Sequence, residues 1–147
     1  MLLLVFTINF FEVQTVVTSD GTEVFDITKG EVVLTIPNSN SLQKLVKDWL
    51  SSASGIAGSL RIEPTNGIAI KIPLTPPYKV QNKWITGTVT EVIMFVGESK
   101  TYYPTLLVLT KENHPVAFYI KDHNLENFLK EYKLYSSELN LVAPSLR

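Results

Sequence analysis

The sequence predicts an α+β fold, mainly antiparallel β-meanders with two amphipathic helices. Three observations carry that prediction. Forty of the 147 residues are Val, Ile or Thr, whose branched side chains suit a pleated surface. Alternating runs are separated by turn pairs such as Asp20-Gly21 and Lys29-Gly30. Only two stretches carry apolar residues at helical spacing.

From the N-terminus, Leu2 to Thr18 reads as one long or bent strand with Leu4, Phe6, Ile8 and Phe10 on one face. Asp20-Gly21 supplies the easy positive φ of a tight hairpin turn and returns the chain through Glu23 to Ile27, and Lys29-Gly30 turns it again into Glu31–Ile36. Pro37 has no N–H for a ladder and closes that strand. A helix follows, capped by Asn40 or Ser41. Leu42, Leu45, Val46, Trp49 and Leu50 form its apolar stripe, Lys44 and Asp48 lie outside it, and Gly55 is its stop. Ser59 to Ile72 reads as a hairpin, and side-chain parity selects a three-residue loop of Thr65, Asn66 and Gly67 that pairs Ile62 with Ile70 and Leu60 with Ile72. Gly55-Ile-Ala-Gly58 reads as a flexible exit from the helix.

The expected organisation is a single domain over 1–147, with sub-units 1–58 and 59–147. Pro73, Pro76 and Pro77 make 73–83 a stiff connector, because each pushes its preceding residue to an extended backbone. Trp84–Val96, Thr101–Lys111 and Val116–Lys121 then form a three-strand meander. Asp122 caps a closing helix whose stripe is Leu125, Phe128, Leu129, Tyr132 and Tyr135. Leu139 and Leu141 in the tail are placed to add a strand or to hold a partner.

Composition removes several functions. With no cysteine there is no disulfide framework, zinc–thiolate site, iron–sulfur cluster or thiol catalysis. Thirteen basic against fourteen acidic groups leave a net charge of −1, without the strong positive field of a bulk nucleic-acid coat. The apolar stretch Met1 to Phe11 is too short to span a bilayer and lacks the basic start of a secretory signal, so a cytoplasmic, intracellular protein with no membrane partner is expected. Eleven lysines to two arginines and ten glutamates to four aspartates give a thermophile-like composition.

The chain contains an internal echo. Val32-Val-Leu-Thr-Ile36 followed by Asn38, Leu42, Leu45, Val46, Lys47, Asp48 and Trp49 parallels Val116-Ala-Phe-Tyr-Ile120 followed by Asp122, Leu125, Phe128, Leu129, Lys130, Glu131 and Tyr132. Four of seventeen aligned positions are identical, and the shared physics of a strand feeding a capped helix explains the echo as well as duplication does. A β-meander then a helix, twice, resembles the tandem units of the Whirly single-stranded-DNA-binding proteins and the unit of the transcriptional coactivator PC4. The resemblance rests on Glu31–Leu50 and Val116–Tyr132, and it implies single-stranded nucleic acid as a partner.

Single-strand binding needs flat rings for stacking and cations to follow phosphates. The stretch from Tyr78 to Lys111 offers Tyr78, Lys79, Lys83, Trp84, Lys100, Tyr102, Tyr103 and Lys111 against only Glu91 and Glu98. Each has a structural reading too: Trp84 as a core or rim residue, the lysines as edge protection, and Tyr102 and Tyr103 on opposite faces of a strand. Catalytic patterns are missing. His114 and His123 bracket a strand and stand too far apart to share a metal, His123 with Asp122 and Glu126 reads as a helix cap, and no nucleophile elbow, phosphate loop or zinc helix occurs. The expectation is a non-enzymatic module without cofactor that binds single-stranded nucleic acid weakly on its sheet. The alternative is a protein-interaction or assembly domain, accessory or viral, that forms a homo-oligomer through an edge strand or the Leu139–Val142 tail.

Overall fold

The computed structural model describes residues 21–57, 62–112, 115–121 and 124–144. The first hairpin is β1 (Thr22–Asp26) and β2 (Glu31–Ile36), followed by helix α1 (Asn40–Ser51) and strand β3 (Ala53–Ile56). A meander of β4 (Gly67–Gln81), β5 (Thr86–Gly97), β6 (Thr105–Thr110) and β7 (Val116–Ile120) leads into helix α2 (Asn124–Glu131). Together they make the α+β fold that the sequence predicts: one seven-stranded sheet in the order β2-β1-β4-β5-β6-β7-β3, with every neighbouring pair antiparallel. Among the described residues β2 and β3 are the two outermost strands, and α1 crosses the sheet between them.

Period-two alternation sorts the strands into two buried faces. Val24, Ile70, Val92, Met94, Leu106, Val108 and Phe118 form the face on which both helices lie. α1 buries Leu42, Val46, Trp49 and Leu50, and α2 buries Leu125, Phe128 and Leu129. The Trp49 indole meets the Phe128 ring edge-on at 6.2 Å, which joins the two helices over the sheet. Phe25, Ala69, Ile93, Phe95, Leu107 and Ala117 form a second cluster on the opposite face. Both strand-then-helix segments of the internal echo are therefore present, and both helices cover the same face.

Helix α1 is capped by Ser39, whose hydroxyl accepts from the Leu42 N–H at 3.2 Å, one position before the expected caps. It ends at Ser51 rather than at Gly55. The next residues, Ala53–Ile56, are edge strand β3 on β7 and not a flexible exit, and the Lys121 N–H donates to the Ser52 carbonyl at 3.1 Å. Helix α2 ends at Glu131, and Lys133 adopts φ 59°, so Tyr135 falls off the predicted stripe and is exposed.

The expected pairing of Ile62 with Ile70 does not form, and Ser59 and Leu60 of the expected hairpin lie outside the described residues. Ile70 has Val24 of β1 on one side and Met94 of β5 on the other, leaving no flank for Ile62. Ile62 packs against the second cluster, on the face opposite Ile70, because two longer ladders take both flanks of that strand. Gly67 has φ 139°, and a Cβ there would sit 2.0 Å from the Val96 carbonyl oxygen, so glycine lets β4 start against β5. The expected connector 73–83 is strand as far as Gln81: Pro73 pairs with Glu91, and Tyr78–Gln81 pair with Thr86–Val89. Residues from before and after position 58 interleave in one sheet, since β1 pairs with β4 and β3 with β7.

Prolines inside β4 are compatible with a strand because the ladder is interrupted there. Pairing with β1 is recorded only for Ile68–Lys71, and Leu74 to Pro77 bulge out opposite a single residue, Thr90. The bulge drives Leu74 into the helix-side core, and the side chain of Gln43 on α1 occupies the place of a neighbouring strand. Its Nε2 donates to the Pro73 carbonyl at 3.0 Å and its Oε1 accepts from the Thr75 N–H at 3.0 Å. The same Nε2 donates to Asn38 Oδ1 at 2.7 Å.

In the tail, Leu139 and Leu141 pack against the chain's own core, the Asn140 N–H donates to the Gly97 carbonyl at 2.8 Å, and Asn140 Nδ2 donates to the Tyr102 carbonyl at 2.8 Å. They add no strand to the sheet. The strand expected over Leu2–Thr18, together with His114, Asp122 and His123, lies outside the described residues.

Candidate nucleic-acid interface

Beyond the bulge, β4 resumes its pairing with β5, Tyr78 opposite Val89 and Val80 opposite Gly87. Tyr78, Val80 and Val89 belong to the helix-side core, so this end of the hairpin leans onto α1. The turn that follows is held by Asn82. Its Oδ1 accepts from the N–H groups of Trp84 at 2.8 Å and Ile85 at 3.0 Å, and its own N–H donates to the Ile85 carbonyl at 2.9 Å. Ile85 is buried, so the turn is anchored on one side and presents Lys83 and Trp84 on the other.

Between this arm and α1 lies a groove of about 490 Å³ lined by Lys47, Leu50, Ser51, Ala53 and residues 78–84. Lys47, Lys79 and Lys83 are among its lining residues, and among the described residues no acidic one lines it. In a chain of net charge −1 this is a local cationic site. Lys47 Nζ stands 4.9 Å from the centre of the Tyr78 ring, and Lys83 Nζ stands 4.9 Å from the centre of the Trp84 ring. Both rings are half-buried against the core and all three lysines are exposed.

Two magnitudes decide what such pairs do. An exposed cation–π contact is worth about 0.5–1 kcal/mol, whereas a nucleobase stacked on an aromatic side chain is worth about 1–3 kcal/mol. By these magnitudes a base placed on either ring would outcompete the lysine for it and leave the ammonium free for a phosphate. Ser51 ends α1 in this groove, where the helix dipole contributes a partial negative charge of about half a unit. Three full positive charges outweigh it.

The eight residues singled out in the sequence do not form one surface. Tyr78, Lys79, Lys83 and Trp84 come together in the groove. Lys111 lies near the same end of the hairpin, its N–H donating to the Thr88 carbonyl, next to Glu112, whose carboxylate accepts from the Thr88 N–H. Lys100, Tyr102 and Tyr103 follow the far end of β5, a twelve-residue strand away, about 35–40 Å along the strand. β6 begins only at Thr105, so strand alternation does not separate Tyr102 from Tyr103. Tyr102 packs into the Phe25 cluster and donates its hydroxyl to the Ile62 carbonyl, and burial pushes its phenol well above the usual range. Tyr103 meets Tyr119 edge-on at 5.9 Å. Nor is the middle of the sheet a stacking platform, because helices cover one face and Ala69, Ile93 and Phe95 are buried on the other.

Two features escaped the sequence reading. Lys47 sits on α1 next to buried Val46, and nothing local marks it as facing Tyr78; only the fold brings them together. A buried charge cluster spans three neighbouring strands: Lys71 on β4, 3% exposed, has its Nζ 3.8 Å from Glu23 Oε1 on β1, with Glu91 on β5 alongside. Desolvation lowers the Lys71 ammonium and raises the Glu91 carboxyl, and their mutual attraction opposes both shifts. Its signal was legible: Lys71 interrupts an apolar run on the parity of Ala69, the inward parity of the second face. The cluster lies within that face, and the groove opens at the other end of β4.

Among the described residues, no three His, Asp or Glu side chains converge as a metal site, and no helix is long and apolar enough to cross a membrane. No protein-family model, no curated protein and no solved structure matches the chain.

Proposed function

We propose that the protein is a non-enzymatic module that holds single-stranded nucleic acid in the groove between α1 and the β4–β5 arm, weakly and without strong sequence preference. One observation carries the reading: among the described residues, the groove is lined by three lysines and two aromatic rings and by no acidic residue, in a chain whose overall charge is −1. Rings with lysines beside them are what stacking bases and their phosphates require, and they discriminate little among bases because every base has a π-face. The binding surface is the groove at the end of the hairpin and not the sheet face.

The test is a titration with single-stranded oligonucleotides at low salt, followed by tryptophan emission. Trp49 is wholly buried and Trp84 half-exposed, so a change on binding reports on Trp84. Trp84→Ala is expected to weaken binding by about tenfold or more, and Lys83→Ala to weaken it in a salt-dependent way. A flat titration would remove the reading.

Self-association through the tail is a weaker second reading. Leu139 and Leu141 already pack on the chain's own core, which leaves Val142, 65% exposed, as the apolar side chain the tail offers a second copy.

A further inference from the structure

The contents of the groove set a length for its ligand. We infer, resting on the single-strand reading above, that the site is a two-base clamp: it takes one dinucleotide unit with the phosphates on either side of and between its two bases, and does not track a long strand. Tyr78 and Trp84 each pack against the helix-side core and carry a lysine ammonium over the ring at 4.9 Å. A ring held in that way offers one face, so each takes one base. Two consecutive bases are joined and flanked by three phosphates, and three lysines line the groove, Lys47 and Lys83 at the two rings and Lys79 on the strand between them.

Among the described residues the groove's lining carries no third ring, which limits the stacked length to two bases, and one more lysine adjoins it: the Lys121 N–H donates to the carbonyl of Ser52, between the lining residues Ser51 and Ala53. Lys44, one turn back on α1, is paired to Asp48 at 3.1 Å. Lys111 stands beside Glu112, and Lys100 lies beyond the far end of β5. Asn82 holds the backbone of Trp84 and Ile85 through its two acceptances, which ties the Trp84 end of the groove to the turn.

The experiment titrates the full chain with thymidylates phosphorylated at both ends, of one, two and twelve nucleotides. The dinucleotide is expected to bind at least about tenfold tighter than the mononucleotide, since it adds one stacked base. The twelve-mer gains only the statistical factor of its overlapping sites, about tenfold, and its affinity falls with a logarithmic salt slope of about −2, the value for three phosphates on a single strand. Tyr78→Leu, and independently Trp84→Leu, erase the dinucleotide's advantage over the mononucleotide while the salt slope stays, and Tyr78→Phe restores it. A twelve-mer that binds with a slope of about −4 or steeper, or that binds while the dinucleotide does not, overturns the clamp and leaves single-strand binding standing. A twelve-mer that does not bind overturns both.

Discussion

Gln43 is the residue on which the groove's geometry turns, and its replacement by Met makes a quantitative test. Methionine keeps the length and the absence of branching but removes both amide functions. Three hydrogen bonds are lost: to the Pro73 carbonyl at 3.0 Å, from the Thr75 N–H at 3.0 Å and to Asn38 Oδ1 at 2.7 Å. Each is worth about 0.5–1.5 kcal/mol net. The Thr75 contact is exposed and belongs at the bottom of that range, because water replaces Gln43 there. The Pro73 carbonyl is partly buried and belongs higher. The sum is about 2 kcal/mol, a fall in Tm of about 8 °C for a domain of this size. Urea unfolding should show a lower midpoint with an unchanged slope, since surface burial is the same. Because the bulge sets where Tyr78 meets Lys47, thymidylate affinity should fall in the same variant under conditions where it remains folded. Gln43→Glu retains the acceptor for Thr75 but turns a carboxylate toward the Pro73 carbonyl, so at neutral pH it should be no better than Met. A loss below about 0.5 kcal/mol with unchanged binding would refute the idea that this amide holds the bulge.

Two further expectations concern the sheet. Gly67→Ala puts a Cβ 2.0 Å from the Val96 carbonyl oxygen at a φ of 139°, and should cost about 3 kcal/mol or more, read by urea unfolding; a loss under about 1 kcal/mol would mean that β4 and β5 separate there at little cost. Replacing the buried cluster together by apolar side chains, Glu23→Leu, Lys71→Met and Glu91→Leu, should stabilise the fold by about 1–4 kcal/mol at pH 7, because the desolvation of the charges exceeds what their attraction returns. The sign with pH follows. Lys71 is lowered from 10.5, so the unfolded chain binds more protons just below that pH and wild-type stability rises toward pH 10.5. Glu91 is raised from 4.5, so the folded chain binds more protons just above that pH and stability falls as pH climbs from there. The triple variant should lose both slopes, and a variant less stable than wild type would show that the cluster contributes net stability.

Legibility in the sequence followed the range of the interactions involved. The α1 stripe, the Lys29-Gly30 turn, the last three strands and the strand feeding each helix were readable because spacing and turn chemistry act within a few residues. β3 was not, because Ala53–Ile56 has little strand character and exists through its pairing with β7, more than sixty residues later. The pairing of Ile62 with Ile70 expected around Asn66-Gly67 failed for the same reason: Ile70 went to Val24 and Met94. Four of the eight candidate residues met because they lie on one continuous arm, Tyr78 to Trp84. Lys100, Tyr102 and Tyr103 were near them in sequence but on the far side of β5, a separation that a charge count along the chain does not register.

The three prolines that suggested a boundary are the reason a groove exists at all. A regular β4 would continue flat beside β5, and Tyr78 would extend from the sheet with no helix above it. Without N–H groups, Pro76 and Pro77 cannot complete the ladder, so four residues, Leu74 to Pro77, leave it opposite one on β5. Leu74 is drawn into the core by that excursion, and the chain re-enters pairing at Tyr78 over α1, with Lys47 above the ring. An apolar residue at the bulge and an amide on the helix hold the displaced strand in one place. Neither lies among the groove's lining residues, yet together they fix the position of the ring that a base would stack on.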